Sequence, residues 1–259
     1  MKQINSTYSG DHKSMYIIPI GDVHLGNRYH DPSYLERTFK FIDQNRKRCR
    51  IILMGDLLEV ATKHSVGRSV YDESYPTNRQ HEIAVELFSK YADLIDLVIE
   101  GNHEERIIRD TSFEIVENFC HRIGRPDAYG KFSGVVNYQM GTGLTYSFYA
   151  FHGATGGTTE ASVVNALLKM RERCMAHVYL MGHTHKLFKF DREVRMPAPG
   201  QAELATVKQT FVNTGASVAD GGYAEQKGFP VNRIGYGAIQ IFADERKQVF
   251  HYIDDLVSN

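Results

Sequence analysis

Apolar residues along this chain gather in short runs of strand length, each closed by a polar or small residue. Five stand out: Ile17-Ile18-Pro19-Ile20, Ile51-Ile52-Leu53-Met54, Leu97-Val98-Ile99, Phe148-Tyr149-Ala150-Phe151 and Val178-Tyr179-Leu180-Met181. Consecutive apolar positions over this length predict strands buried on both faces. Between the runs the period lengthens. Pro32-Ser33-Tyr34 opens a segment with Leu35, Phe39 and Ile42 at helical spacing, and Ile83, Leu87 and Tyr91 predict a helix over 81–92. A third helix is expected from 111–112 to 123, stopped by Gly124 and Pro126. A fourth carries Val163, Leu167, Leu168 and Met170 behind Gly156-Gly157-Thr158-Thr159. Two β-rich runs between 135 and 151 flank Gly141-Thr142-Gly143 and predict a hairpin. Past His185 the pattern is β-like again, with Pro197-Ala198-Pro199-Gly200 as a turn. The segment 207–253 is strand-rich around a Gly- and Tyr-bearing loop, 219–233. Residues 1–14 read as a flexible arm, and 61–80 as a long polar and aromatic loop, a kind that is often functional.

The residues just past each apolar run matter more than the run itself. The first run leads through Gly21 into Asp22-Val23-His24, the second through Gly55 into Asp56, and the third through Glu100-Gly101 into Asn102-His103-Glu104. The fourth leads into His152-Gly153, and the fifth through Gly182 into His183-Thr184-His185. Asp, His and Asn are ligands for octahedral divalent ions, and open α/β sheets collect ligands at the carboxyl ends of their strands. Five strand ends far apart in sequence can therefore converge on one site.

The ordered set Gly-Asp-x-His, Gly-Asp, Gly-Asn-His-Glu, His-Gly, Gly-His-Thr-His, between residues 21 and 185, resembles the calcineurin-like metallophosphoesterase superfamily. Phe211-Val212-Asn213-Thr214-Gly215-Ala216-Ser217 is similar to that family's strand and turn beyond the site. The resemblance implies an α/β fold of two mixed sheets packed face to face with helices outside, which the element pattern also fits. It implies one ion held by Asp22, His24, Asp56 and His185, and a second by Asp56, Asn102, His152 and His183, with Asp56 bridging. Manganese is the first expectation, with iron, zinc, nickel or cobalt as alternatives. It further implies hydrolysis of a phosphate ester by metal-bound hydroxide, with His103 contacting the phosphate and protonating the leaving oxygen. Glu59 stands where relatives carry the carboxylate partner of that histidine; otherwise it is a solvated carboxylate at a helix start. His64, Arg68 and Arg106 lie near motif residues and are weaker candidates for substrate contact. His12, His30, His81, His121, His177 and His251 read as ordinary core or surface histidines.

Gly55-Asp56-Leu57-Leu58-Glu59-Val60-Ala61 lacks the arginine that the Ser/Thr protein phosphatases of the superfamily carry there. The motifs are closer in style to the double-strand-break-repair exonucleases and the pyrophosphate hydrolase of lipid A synthesis. Both cleave diesters or diphosphates, so a phosphodiesterase or nuclease is favoured over a phosphomonoesterase acting on a small molecule or nucleotide. A catalytically idle protein-interaction scaffold is the reading from another class. With 30 basic and 31 acidic residues, no overall field calls for a polynucleotide, although a local groove would suffice. Lys186, Lys189, Arg192 and Arg195 read as backbone contacts for a nucleic acid or as alternate solvated strand residues. The cluster Arg46-Lys47-Arg48-Cys49-Arg50 reads as a solvated helix end.

A 42% hydrophobic content supports a sizeable core, and because the motifs span most of the chain, 15–259 is expected to be a single domain. Cys49, Cys120 and Cys174 lack metal or redox spacing and read as buried, reduced thiols. No apolar h-region opens the chain and no run approaches a membrane span, so a cytoplasmic location is expected.

Overall fold

The computed structural model describes all residues except 9–11, 63–64, 66–72, 142, 155–156, 158, 198–199, 201, 220, 222–231 and 258–259. Twelve strands are named among the described residues, divided equally between two six-stranded sheets. In chain order these are β1 (Lys2–Tyr8), β2 (Ser14–Ile20), β3 (Cys49–Leu53), β4 (Ile95–Ile99), β5 (Tyr129–Lys131) and β6 (Ser133–Met140). They continue with β7 (Thr145–Phe151), β8 (Val178–Met181), β9 (Leu187–Met196), β10 (Ala205–Thr214), β11 (Gly237–Phe242) and β12 (Gln248–Tyr252). One sheet has the order β12-β11-β2-β3-β4-β5, the other β1-β6-β7-β8-β10-β9. Both are mixed. Strands β2 to β5 run parallel, and so do β7, β8 and β10.

The consecutive apolar runs are explained by burial on two faces. Ile17, Ile52, Leu97 and Ile99 point between the sheets, where they meet Val136, Tyr138, Phe148, Ala150, Leu180 and Val212. Their neighbours Ile18, Ile51, Leu53 and Val98 point outward. There they pack under α1 (Pro32–Gln44), α2 (Thr77–Ser89) and α4 (Ile115–Arg122) through Leu35, Phe39, Ile42, Ala84, Phe88, Val116 and Phe119. On the far side Tyr149, Tyr179 and Phe211 pack under α5 (Glu160–Lys169) through Val163 and Leu167. The layering is helix, sheet, sheet, helix, as the element pattern predicts. A short C-terminal helix, α6 (Ile253–Leu256), docks near α1.

The described residues correct several expectations. Lys2–Tyr8 is not a flexible arm; it is strand β1, paired in parallel with β6 from Lys2 opposite Gly134 to Tyr8 opposite Met140. Its side chains alternate between half-buried and exposed, and this edge role needs too little apolar surface to show in sequence. A helix unforeseen in the pattern, α3 (Asn102–Thr111), buries only Glu104. The expected helix over 81–92 begins earlier, at Thr77, and that from 111–112 is shortened to Ile115–Arg122. Thr159 caps α5 by accepting from the Ser162 amide, as an ordinary N-cap does. In the basic cluster, Arg46 pairs with Asp93 and Arg50 with Asp96, so these charges tie the start of β3 to the start of β4. Cys49 and Cys120 are buried, their thiols pushed up to about 12 by burial, whereas Cys174 is only partly covered. Most of the expected loop 219–233 lies outside the described residues.

Candidate metal centre

The strand ends are drawn together by backbone contacts before any side chain is considered. The segment after β2 zips onto the segment after β3: Asp22 N donates to Gly55 O at 2.9 Å, His24 N to Asp56 O at 3.0 Å, Leu25 N to Leu57 O at 2.9 Å and Glu59 N to Leu25 O at 2.9 Å. The other sheet joins through His183, whose amide donates to both oxygens of Asp22 at 3.0 Å. Gly55 and Gly101 permit the tightest approach. A Cβ on Gly101 would lie 2.0 Å from Asp56 Oδ1, and one on Gly55, at φ +87°, 2.5 Å from Gly101 N.

Five residues at these strand ends are in left-handed conformation: Asp22, His24, Asp56, His183 and His185, with φ between 47° and 69°. Asp, Asn and His tolerate this region better than most residues. The turn aims each side chain back across the sheet edge.

The side-chain donors fall into two groups that share one carboxylate. In the first, His24 Nε2 and His185 Nε2 are 3.0 Å apart, His185 Nε2 is 3.5 Å from Asp22 Oδ1, and His24 Nε2 is 4.0 Å from Asp56 Oδ2. In the second, His152 Nε2 lies 3.2 Å from Asp56 Oδ2 and 3.3 Å from Asn102 Oδ1, which is 2.7 Å from His183 Nδ1. Donors around an octahedral ion at bond lengths of roughly 2.1 Å lie roughly 3 Å from one another. Each group therefore has the spacing of a set that could hold a cation, and Asp22–His24–His185 and Asp56–His152–His183 meet within 4.8 Å in each case. The tautomers fit as well. Met54 O accepts from His152 Nδ1 at 2.7 Å, and a carbonyl can only accept, so the Nε2 lone pair of the neutral ring faces Asp56 and Asn102.

The charges give the same picture. Burial alone would lower the pKa values of His24 and His152. The bond to Glu59, with the Glu59, Asp56 and Asp22 charges, instead lifts His24 to about 9, and Asp56 with Asp22 lifts His152 to about 10. Against the opposing effect of burial, His152, His103 and His24 hold Asp56 well below the usual carboxylate range. Asp22 is raised to about 7 by burial, with the Asp56 charge adding to it. The two buried carboxylates thus favour positive charge on the histidines beside them.

His103 projects from the first turn of α3 beside these groups. Its Nδ1 is 2.7 Å from the main-chain carbonyl of Glu59, 3.3 Å from Arg106 Nη1 and 3.7 Å from Glu59 Oε2. Burial pushes its imidazole down to about 4, and the His24 and Arg106 charges reinforce that. Of the two histidines beside the Glu59 carboxylate, His24 is the nearer, its Nδ1 at 3.0 Å against 3.7 Å for His103 Nδ1. Arg106 also reaches Ser65 Oγ at 3.3 Å. His64 and Arg68 lie outside the described residues. Of the basic residues past the site, Lys186 is buried, Lys189 pairs with Asp191 at 2.7 Å, and Arg192 and Arg195 are exposed on β9.

Two residues here carry no signal of their role in the sequence. Glu104, fully buried, accepts from the amides of Asp56, Leu58 and Gly101 at 2.9, 3.0 and 3.0 Å, tying the end of β3 to the end of β4. Asn27 donates to Glu59 Oε2 at 3.0 Å. The motif Gly-Asn-His-Glu marks the position of Glu104 but not this task.

No family model matches the chain, and no curated protein does. Solved structures do match, at low identity. A metallophosphoesterase from Sphaerobacter thermophilus is 14% identical over 92% of this chain and 88% of its own, with a TM-score of 0.42. A calcineurin-like phosphoesterase, YfkN from Bacillus subtilis, is 12% identical over 95% and 92%, with a TM-score of 0.39. Vps29 from Entamoeba histolytica, as a single mutant, is 13% identical over 92% and 99%, with a TM-score of 0.41. In motif order the chain resembles the calcineurin-like metallophosphoesterases. Among the described residues no helix is long and apolar enough to cross a membrane.

Proposed function

We propose that this protein is a phosphoesterase that uses two divalent ions, Asp22, His24, Asp56 and His185 holding one and Asp56, Asn102, His152 and His183 the other. The observation that carries this reading is Asp56 Oδ2, which faces both donor groups, 4.0 Å from His24 Nε2 and 3.2 Å from His152 Nε2. When bound, such a pair lowers the pKa of water and polarises phosphoryl oxygens. The chain's own residues do the rest. Asp22 and Asp56 cancel only part of the ions' charge, and the neutral Asn102 and histidines preserve a positive surplus for an anionic ester. His103 has Nδ1 against the Glu59 carbonyl, which leaves Nε2 to meet a leaving oxygen. It donates there only as the imidazolium, a form that burial disfavours and that an anionic ester beside it would favour. Arg106, beside it, supplies a further cation for the phosphate.

Manganese is the metal we expect first, and a diester the substrate, with polynucleotides as the leading class. The three free cysteines are compatible with action in the reducing cytoplasm. The test is metal-reconstituted protein assayed on an aryl diester, an aryl monoester, single- and double-stranded DNA, RNA and cyclic nucleotides. Diesters should be cut faster than monoesters, and Asp56→Asn should lose both metal equivalents together with turnover. Asp56→Asn with two metals and normal turnover would overturn the site, and a monoester preference would overturn the substrate class. His103→Ala should keep both ions. It should slow nucleoside esters by roughly 10²–10⁴-fold and aryl esters, whose leaving groups need a proton less, by far smaller factors. Equal slowing of both would assign His103 to phosphate binding alone.

A further inference from the structure

We infer that Glu59, seated by Asn27, is a positioning residue for His24: its carboxylate fixes the His24 ring so that Nε2 faces the metal. The inference rests on the dinuclear reading above and deepens it. Glu59 Oε2 is 3.0 Å from His24 Nδ1, and both side chains are buried, at 6% and 3% exposure. A neutral imidazole has one N–H and one lone pair. Nδ1 against a carboxylate carries the hydrogen, so the lone pair lies on Nε2, the atom that faces His185 and Asp56. His24, Glu59 and His103 also offer donors close enough to hold a cation of their own. That would need a second lone pair from the same ring, so the carboxylate serves as acceptor and not as ligand. Carboxylates behind ligating histidines set tautomer and ring orientation in this way.

The surroundings hold Glu59 to that task. Asn27 Nδ2 donates to the same oxygen, Oε2, at 3.0 Å, while Asn27 Oδ1 accepts from Tyr29 N at 2.8 Å. Val60, the next residue, is a fully buried β-branched residue at φ +37°, held by its amide donating to Gln80 Oε1 at 2.9 Å. A left-handed valine persists only where its surroundings over-determine it. Its turn sends the Glu59 side chain to His24 and the Glu59 carbonyl to His103. Side-chain substitutions at Glu59 leave that carbonyl in place, so they separate the two histidines.

The experiment titrates Mn²⁺ into metal-free wild type, Glu59→Gln, Glu59→Leu and Asn27→Ala, with stoichiometry by elemental analysis and the His24 tautomer by ¹⁵N NMR of the protein loaded with diamagnetic Zn²⁺ in place of Mn²⁺. Wild type should take two ions. Glu59→Leu should keep one at wild-type affinity and bind the other roughly 10–100-fold more weakly, with His24 losing its single tautomer. Glu59→Gln, which can still accept through its amide oxygen, should show the lower end of that loss, and Asn27→Ala the same direction. In metal-saturated Glu59→Gln, the ratio of aryl to nucleoside ester rates should match wild type. Should Glu59→Leu not fold, Glu59→Gln decides alone. Unchanged affinity and tautomer, or a changed leaving-group ratio with both ions tight, would overturn the inference and give the carboxylate to His103. Wild type that binds no Mn²⁺ would instead overturn the dinuclear reading itself.

Discussion

Asp56 occupies the space where a side chain on Gly101 would go, so its proposed bridging position depends on an absence of atoms. Gly101→Ala would set a Cβ 2.0 Å from Asp56 Oδ1 and 2.4 Å from its amide nitrogen, neither of them the end of a flexible chain. Overpacking of this kind costs about 1–3 kcal/mol. Here it also displaces the one carboxylate that both donor groups share. The expected outcome is a lower thermal midpoint together with loss of both metal equivalents; a stable variant that binds two ions would mean Asp56 does not bridge. Strain is present at this scale too. A left-handed non-glycine residue costs roughly 1–2 kcal/mol, and Asp22, His24, Asp56, His183, His185 and Val60 all adopt that conformation. Such residues cluster where geometry serves function and are offset by packing elsewhere, here by the apolar layers on both faces of each sheet.

Among elements, the segment between β3 and α2 is the one most tied to the site. Its described base is clasped by Gln80, fully buried at the start of α2. Gln80 Oε1 accepts from Val60 N at 2.9 Å, and Nε2 donates to Glu73 Oε1 at 3.0 Å and Tyr75 O at 2.8 Å. Glu73 in turn accepts from Ala61 N at 2.6 Å. Gln80→Ala leaves buried groups unpaired and should cost about 1–3 kcal/mol in urea unfolding; a cost below about 0.5 kcal/mol would mean water replaces the clasp. Nothing in the sequence marks Gln80, because its partners, two backbone groups and the Glu73 carboxylate, lie up to 20 residues away. The same reason hides Asn27 and obscures the task of Glu104. The proposed ligands are legible for the opposite reason: each comes after a run apolar on both faces, and a glycine or a direct strand end turns it toward one edge. Helix α3 escapes because Glu104 is its one buried residue. Strand β1 escapes because Lys2-Gln3-Ile4-Asn5-Ser6-Thr7-Tyr8 offers only Ile4 and Tyr8 to the core between the sheets.

At the scale of the whole molecule, the site belongs to neither sheet. Asp22, His24, Asp56 and Asn102 come from the ends of the parallel strands β2, β3 and β4, whereas His152, His183 and His185 come after β7 and β8. The Asp22 carboxylate receives the His183 amide, and the Met54 carbonyl receives His152 Nδ1, so each sheet orients a proposed ligand of the other. Packing the two sheets through Ile17, Ile52, Leu97, Phe148 and Leu180 is therefore what assembles the centre. Anomalous diffraction from crystals of the protein loaded with Mn²⁺ tests this most directly. Two peaks should appear, one among Asp22, His24, Asp56 and His185 and one among Asp56, Asn102, His152 and His183, with Asp56 between them. A single peak, or peaks away from these strand ends, would contradict it.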